Sequence, residues 1–538
     1  MGALPKSLRL LGAGALMVAP AHALQAAQAD GPPRIAFSDV LAVQPEGSYD
    51  RGSAPQADQI GAVVVRGNEA IEDARYQEVV ERFFGEPLNQ EVLERLNDEL
   101  AQLAREQGYP YARTTIDEDA AALGMIEVIV DEGRIDAIAI EGAENAQARR
   151  MLEGLVGRPA RREELESVLL RISDIPGLSL RGARLRREGD QSTLAVKLEQ
   201  RPHEARLAAD NYGTRSFGPV RASASTALFG VLTASDAIRT SVRVNPVDFD
   251  ELLFASSSYE TQISDSGITA QIGGALGETA PGGALNGSDI NGDTLRGFAT
   301  VTAPLKRSKQ SSLWVDTEFA FISIEQDDLG ALLRDDTIVS ASVGLRTRFA
   351  IAGGGFVRTG VSLERGLGIF GATRLGDPSA SRGDGDGVYT KFRFNADTRV
   401  PLTKRLDLYL SAAGQLADRP LLASEELSLG GAYRVRGYDF AEVLGDEGIY
   451  GLAELRYRVN TDDLPFDFLQ FYSFIDGGYV SDIDQTGGEG SLFSAGPGVR
   501  ARIGLLDFEV EGAFPLGGSG ESSDPDGPEI NVRAGVSF

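Results

Sequence analysis

The stretch LSLGGAYRVRGYDFAEVLGDEGIYGLAELRY, residues 427–457, sets one arginine, Arg436, between Val435 and Gly437, with Tyr438 next. A guanidinium stays charged at any physiological pH and presents a planar fork of donors, so its chemistry is carboxylate pairing and not proton transfer. Buried, it must be paired, because an uncompensated buried charge costs several kcal/mol. In a solvated loop the same pair would contribute only about 0–1 kcal/mol. Two carboxylates stand on the alternating segments that follow. In FLQFYSFIDGGY, placing Leu469, Phe471, Ile475 and Tyr479 on an apolar face leaves Asp476 on the opposite one. In IYGLAELRYRV, an apolar face of Ile449, Ala453, Leu455 and Val459 leaves Glu454 opposite. Gly437 and Tyr438 are candidates for the same loop lock; the duller alternative makes Gly437 a turn residue with positive φ and Tyr438 an ordinary interface or lumen aromatic.

Other chemistries are excluded by count. Cysteine is absent, and the two histidines are His22 and His203. Thiol nucleophiles and disulfides are therefore unavailable, and any Ser-His-Asp or histidine-bound metal site could draw only on His22 and His203. With 52 Lys+Arg against 79 Asp+Glu, the net charge of −27 opposes nucleic acid. No phosphate-binding loop of the Walker type occurs. No cofactor, metal or catalytic group is expected, and the chain reads as a non-enzyme.

The elements that would position the arginine are long alternating strands. VYTKFRFNADTRV puts Val388, Thr390, Phe392, Phe394, Ala396, Thr398 and Val400 on one face and charged or polar residues on the other. LLDFEVEGAF does the same, with Leu506, Phe508 and Val510 out and Asp507, Glu509 and Glu511 in. Sixteen such segments run between residues 203 and 538, divided by Gly, Asp and Ser turns. Repeated dyads of this length are the signature of a transmembrane barrel. A soluble β-sandwich would also alternate, but the strands here are many and long. The last strand, EINVRAGVSF, carries Phe538 as a candidate barrel terminal signal. Arg436 falls in the long connection between the eleventh and twelfth segments.

Upstream the texture differs. Lys6 and Arg9, an apolar run and small residues up to Ala29 read as a signal peptide over 1–29, with 30–58 a flexible Pro/Gly/Ser-rich linker. From Ile60 the order is strand, helix, helix, strand, strand. The helices span 70–84 and 91–107, the second with Val92, Leu93, Leu96, Leu100 and Leu103 on one face, Asn89 as cap and Gly108 as stop. The same order recurs, with strands IDAIAIEG, RGARLRRE and TLAVKLEQ and helices at 146–156 and 162–172.

The segments FFGEPLNQEVLERLNDELAQLAREQGYPYARTTID and GMIEVIVDEGRIDAIAIEG, with Gly85, Gly108-Tyr109 and Glu132-Gly133-Arg134-Ile135, resemble the first polypeptide-transport-associated (POTRA) domain of two-partner secretion transporters. These form the TpsB family of haemolysin secretion and activation proteins. DIPGLSL at 174–180 is similar to the turn of that family's second POTRA domain, and Asp210-Asn211-Tyr212-Gly213 to its barrel entry. The Val435-Arg436-Gly437-Tyr438 loop, GDEGIYGLAELRY and YSFIDGG complete five ordered motifs.

The resemblance implies a mixed fold: two small periplasmic α+β POTRA domains (βααββ), at 59–134 and 135–202, then a 16-stranded antiparallel transmembrane β-barrel over 203–538. It implies that the arginine loop folds back into the barrel lumen, and that Arg436 pairs first with Asp476, with Glu454 as second choice. Many members carry a helix that plugs the pore, and residues 30–58 lack a matching helical face. The expected function is an outer-membrane translocator that exports a large unfolded partner exoprotein, haemolysin- or adhesin-like, from periplasm to exterior. Val92, Leu96, Leu100 and Tyr109 are the expected POTRA docking residues. The expected partners are that exoprotein, outer-membrane lipid and the barrel assembly machinery for insertion of a monomer. The alternative is an insertase that assembles other β-barrel proteins.

Overall fold

The computed structural model describes residues 59–117, 125–189, 191–214, 217–282, 290–483, 489–519 and 527–538. The expected signal peptide and linker lie outside these. The described chain forms two compact units, divided between Arg201 and Pro202.

The first unit contains two copies of one motif. In the first, β1 (Ala62–Arg66), α1 (Asp73–Val80), α2 (Gln90–Glu106), β2 (Arg113–Asp117) and β3 (Met125–Asp131) give a sheet of order β1-β3-β2, with β1 parallel to β3. The helix begins where its cap dictates: Asn89 Oδ1 accepts the Val92 N–H at 3.0 Å, satisfying a donor that the helix leaves orphaned. The second copy comprises β4 (Ala137–Gly142), α3 (Ala146–Glu153), α4 (Arg162–Ser173), β5 (Leu178–Glu188) and β6 (Gln191–Gln200), in the matching order β4-β6-β5.

The junction of the two copies explains the Glu132-Gly133 motif. The Glu132 carboxylate is buried and accepts the N–H groups of Glu69, Ala70 and Ile71 at 3.1, 2.8 and 2.9 Å, which holds the approach to α1. Gly133 lies at φ +80, and a Cβ there would stand 2.7 Å from that of Tyr111. Tyr111 itself joins the core of the second copy with Ile135, Leu155 and Leu169, and burial pushes its phenol above the usual value. Ala160 N–H donates to the Gly133 carbonyl at 2.9 Å and Arg162 N–H to that of Gly108 at 2.8 Å.

The second unit is a closed antiparallel barrel of sixteen strands, from His203–Asp210 to Glu529–Ser537, which pair with each other to close it. Closure leaves no edge, the condition for spanning a bilayer with strands. Alternation fixes the faces as the sequence predicts. Phe392, Leu506, Phe508, Val510, Phe471, Ile475, Ile449 and Leu455 are exposed on the outside, while Lys391, Glu454, Asp476 and Glu511 are buried within. A one-residue slip in any strand would exchange these sets, so the apolar band specifies the register.

Candidate functional site

The eleventh barrel strand, Leu406–Ala417, and the twelfth, Glu447–Arg458, are joined by residues 418–446. Within this loop Leu427–Leu429 pairs with Val443–Gly445 as a small two-stranded sheet, and Gly430 and Gly431, at φ +102 and +89, turn the chain toward its tip. Val435 and Tyr438 pack with Leu427, Leu429, Val480 and Leu492. Because Val480 and Leu492 belong to the thirteenth (Phe468–Ser481) and fourteenth (Gly490–Ile503) barrel strands, the tip lies against the inner wall.

Arg436 is buried among three carboxylates of that wall. Its Nη2 donates to Glu454 Oε1 at 2.7 Å, its Nη1 pairs with Glu511, and its Nε stands 3.4 Å from Asp476 Oδ2. The guanidinium carbon also lies 4.1 Å above the Phe474 ring. Two wall arginines share the carboxylates: Arg456 Nε donates to Glu454 Oε2 at 2.6 Å, and Arg500 Nε to Glu509 Oε1 at 2.7 Å, with its Nη1 3.2 Å from Glu454 Oε2. The Tyr472 hydroxyl donates to Glu511 at 2.8 Å and Ser494 donates to Asp476. Glu454 is the hub, 1% exposed and in contact with all three arginines. Apolar replacement of a whole buried network is often neutral for stability, whereas removing one partner leaves an uncompensated buried charge.

The structure reorders one expectation here, adds a partner and removes the duller alternative for Gly437. Glu454 makes the close contact expected of Asp476, whose oxygen is farther from the guanidinium and engaged by Ser494. Glu511, a third partner, was legible only as an inward residue of LLDFEVEGAF. Neighbouring pairings such as Glu454 with Phe474 and Asp476 with Ser494 decide which inward groups share a height, and alternation alone does not contain them. Gly437 does not adopt a left-handed φ. It is needed because a Cβ would stand 2.9 Å from both Pro515 N and Ser494 Cβ, so only hydrogen lets the backbone reach the wall. There its N–H donates to Ser494 Oγ at 3.2 Å. The Tyr438 hydroxyl donates toward the Gly517 carbonyl at 2.9 Å and lies 3.2 Å from that of Phe493.

The expected docking residues are relocated. Leu96 and Leu100 are fully buried, Val92 and Tyr109 nearly so, and all pack with Tyr76, Phe83 and Val128 in the core of the first copy. The apolar helical spacing that suggested a dock is the spacing that builds this core, so these side chains cannot meet a substrate. Phe538 is exposed on the barrel, and its N–H donates to the Ala205 carbonyl at 2.8 Å at the closing seam.

A closed sixteen-stranded barrel with a lumenal loop, preceded in the chain by a pair of βααββ units, defines a POTRA-bearing outer-membrane transporter, with the POTRA region in the periplasm. Residues 190–501 match the family described as haemolysin secretion/activation protein ShlB/FhaC/HecB, and residues 59–133 match the POTRA domain of ShlB type. The chain belongs to this family of two-partner secretion transporters. It is 24% identical over 502 residues to the outer membrane transporter CdiB of Escherichia coli, covering 88% of this chain and 82% of that one. The solved structure of CdiB from Escherichia coli superposes with a TM-score of 0.77 at 20% identity over 100% of both chains. CdiB from Acinetobacter baumannii gives 0.66 at 14%, over 99% of this chain and 98% of that one. These structural likenesses speak for the fold.

Proposed function

We propose that the chain exports a large unfolded partner polypeptide from periplasm to exterior by the two-partner (type Vb) route. Residues 59–134 and 135–202 serve as substrate-binding POTRA domains and 203–538 as the pore. The observation that carries this reading is the Arg436 network. A loop occupies the lumen, and its tip is fixed by ion pairs and a small apolar cluster that can separate without breaking any barrel strand pairing. Substrate capture falls to the sheet edges, β1 and β2 in the first copy and β4 and β5 in the second, where an extended segment gains main-chain hydrogen bonds. Folding outside makes passage one-way, with no nucleotide required.

The exported protein is of the haemolysin- or adhesin-like class; the family's description as a haemolysin secretion/activation protein supports the haemolysin half of that reading. The protein works as a monomer, seated in outer-membrane lipid by its apolar band and inserted there by the barrel assembly machinery. No observation favours the insertase alternative. Deleting residues 59–200 is expected to abolish binding of the exported partner polypeptide; retained binding would overturn the capture step.

A further inference from the structure

Arg382 lies in the connection between the ninth (Gly355–Gly366) and tenth (Thr390–Pro401) barrel strands, on the same end of the barrel as the base of the lumenal loop. Its side chain is 1% exposed. Nη1 donates to Glu426 Oε1 at 2.6 Å and to Asp446 Oδ1 at 2.7 Å, and Nε and Nη2 hold Asp384 at 3.2 and 3.1 Å. Asp482, just beyond the thirteenth strand, is 3.9 Å from Nη2. Glu426 immediately precedes Leu427–Leu429 and Asp446 immediately follows Val443–Gly445, so one guanidinium ties both legs of the lumenal loop to a neighbouring loop.

The surroundings repeat the connection. Asp446 also accepts the N–H groups of Leu421 at 2.7 Å and Ile483 at 3.1 Å. The Tyr389 hydroxyl donates to Glu425 at 2.9 Å, Lys391 pairs with Glu425, and Ala423 N–H donates to Ser381 Oγ at 3.0 Å. Carboxylate oxygens of Glu426, Asp446 and Asp482 lie within 4.8 Å of one another, a concentration of negative charge that needs a cation among them. The Arg382 guanidinium is that cation.

We propose that Arg382 is a positioning residue for transport: it pins the base of the lumenal loop independently of Arg436 at the tip, so the loop leaves the lumen only when both are released. The transport role rests on the secretion reading above; the pin itself does not. The cysteine-free sequence gives a clean test on the full chain in the outer membrane of intact cells. Ala423→Cys, buried where the two loops meet, reports the base, and Ala441→Cys, buried nearer the tip, reports the tip.

With a membrane-impermeant maleimide, Arg382→Gln should speed labelling of the base probe at least about tenfold through local opening, and leave the tip probe within about twofold. Arg436→Ala should give the reverse pattern. Arg382→Lys should restore most of the protection, which loss of generic packing would not predict. An unchanged base probe in Arg382→Gln, or equal acceleration of both probes, overturns the proposal. If Arg382→Gln fails to reach the membrane, Glu426→Gln, which removes the charge on one leg of the loop, replaces it: a rise at the base probe alone supports the pin, and no rise overturns it. Labelling reads the pin and export of the partner reads the secretion account, so the two can fail separately.

Discussion

The POTRA unit and the barrel lumen are held by opposite means. In the first, Leu96, Leu100, Tyr76 and Phe83 fill one core, and Leu152, Leu169 and Ile172 fill the next, with Tyr111 spanning to it. In the second, Arg436, Arg456 and Arg500 are shared among Glu454, Asp476, Glu509 and Glu511, with only a small apolar cluster beside them. Apolar burial is non-directional and tolerates no exchange with water, which keeps each of these small domains folded. An ion network is directional and can be matched by other charges or by water, which under the proposed secretion function suits a loop fixed at rest and released in use.

The contrast can be broken or sharpened by substitution. Arg436→Ala should have the largest effect: Glu454, Asp476 and Glu511 each lose one cationic contact, a change worth about 3–5 kcal/mol to the docked loop. Export of the partner should stop while the barrel still migrates as a folded species on an unheated gel. Leu100→Ala in the POTRA core should cost about 2–5 kcal/mol. Circular dichroism near the helical band isolates this effect, since among the described residues every α-helix belongs to residues 59–201. Asp476→Asn should cost about 1–2 kcal/mol, as one charged contact is lost from a network that keeps Glu454 and Glu511. It should impair export less than Glu454→Gln, and the reverse ranking would show that the hub is misplaced. Arg66→Ala, which removes the exposed 3.1 Å pair with Glu127, should change stability by about 0–1 kcal/mol.

The sequence discloses these two regions unequally, for the same physical reason. Helical spacing in QEVLERLNDELAQLARE and strict alternation in LDFEVEGAF are local properties, so the element types, the two faces of each strand and the strand holding Arg436's connection could be read directly. The same local spacing misled at Val92, Leu96, Leu100 and Tyr109, because an apolar stripe announces burial without saying whether its partner is the domain's own sheet or another molecule. Ion partners are non-local. Glu511 lies 75 residues from Arg436, and only the stagger of the intervening strands brings it to the same height. Resemblance to the secretion family ranked Asp476 first, yet Glu454, the eighth residue of the twelfth strand, proved closer. The role of Gly437 was equally hidden, since a close approach to Pro515 and Ser494 leaves no mark on the residues beside it.

The central claim is that Arg436 holds the loop tip at one place in the lumen. Spin labels on Asp439→Cys, exposed at the tip, and Tyr457→Cys, exposed on the barrel wall, allow a distance distribution to be measured by pulsed electron resonance without competing cysteines. A single narrow distribution that broadens or shifts outward on Arg436→Ala is the predicted result. An equally narrow, unshifted distribution in Arg436→Ala would contradict the account.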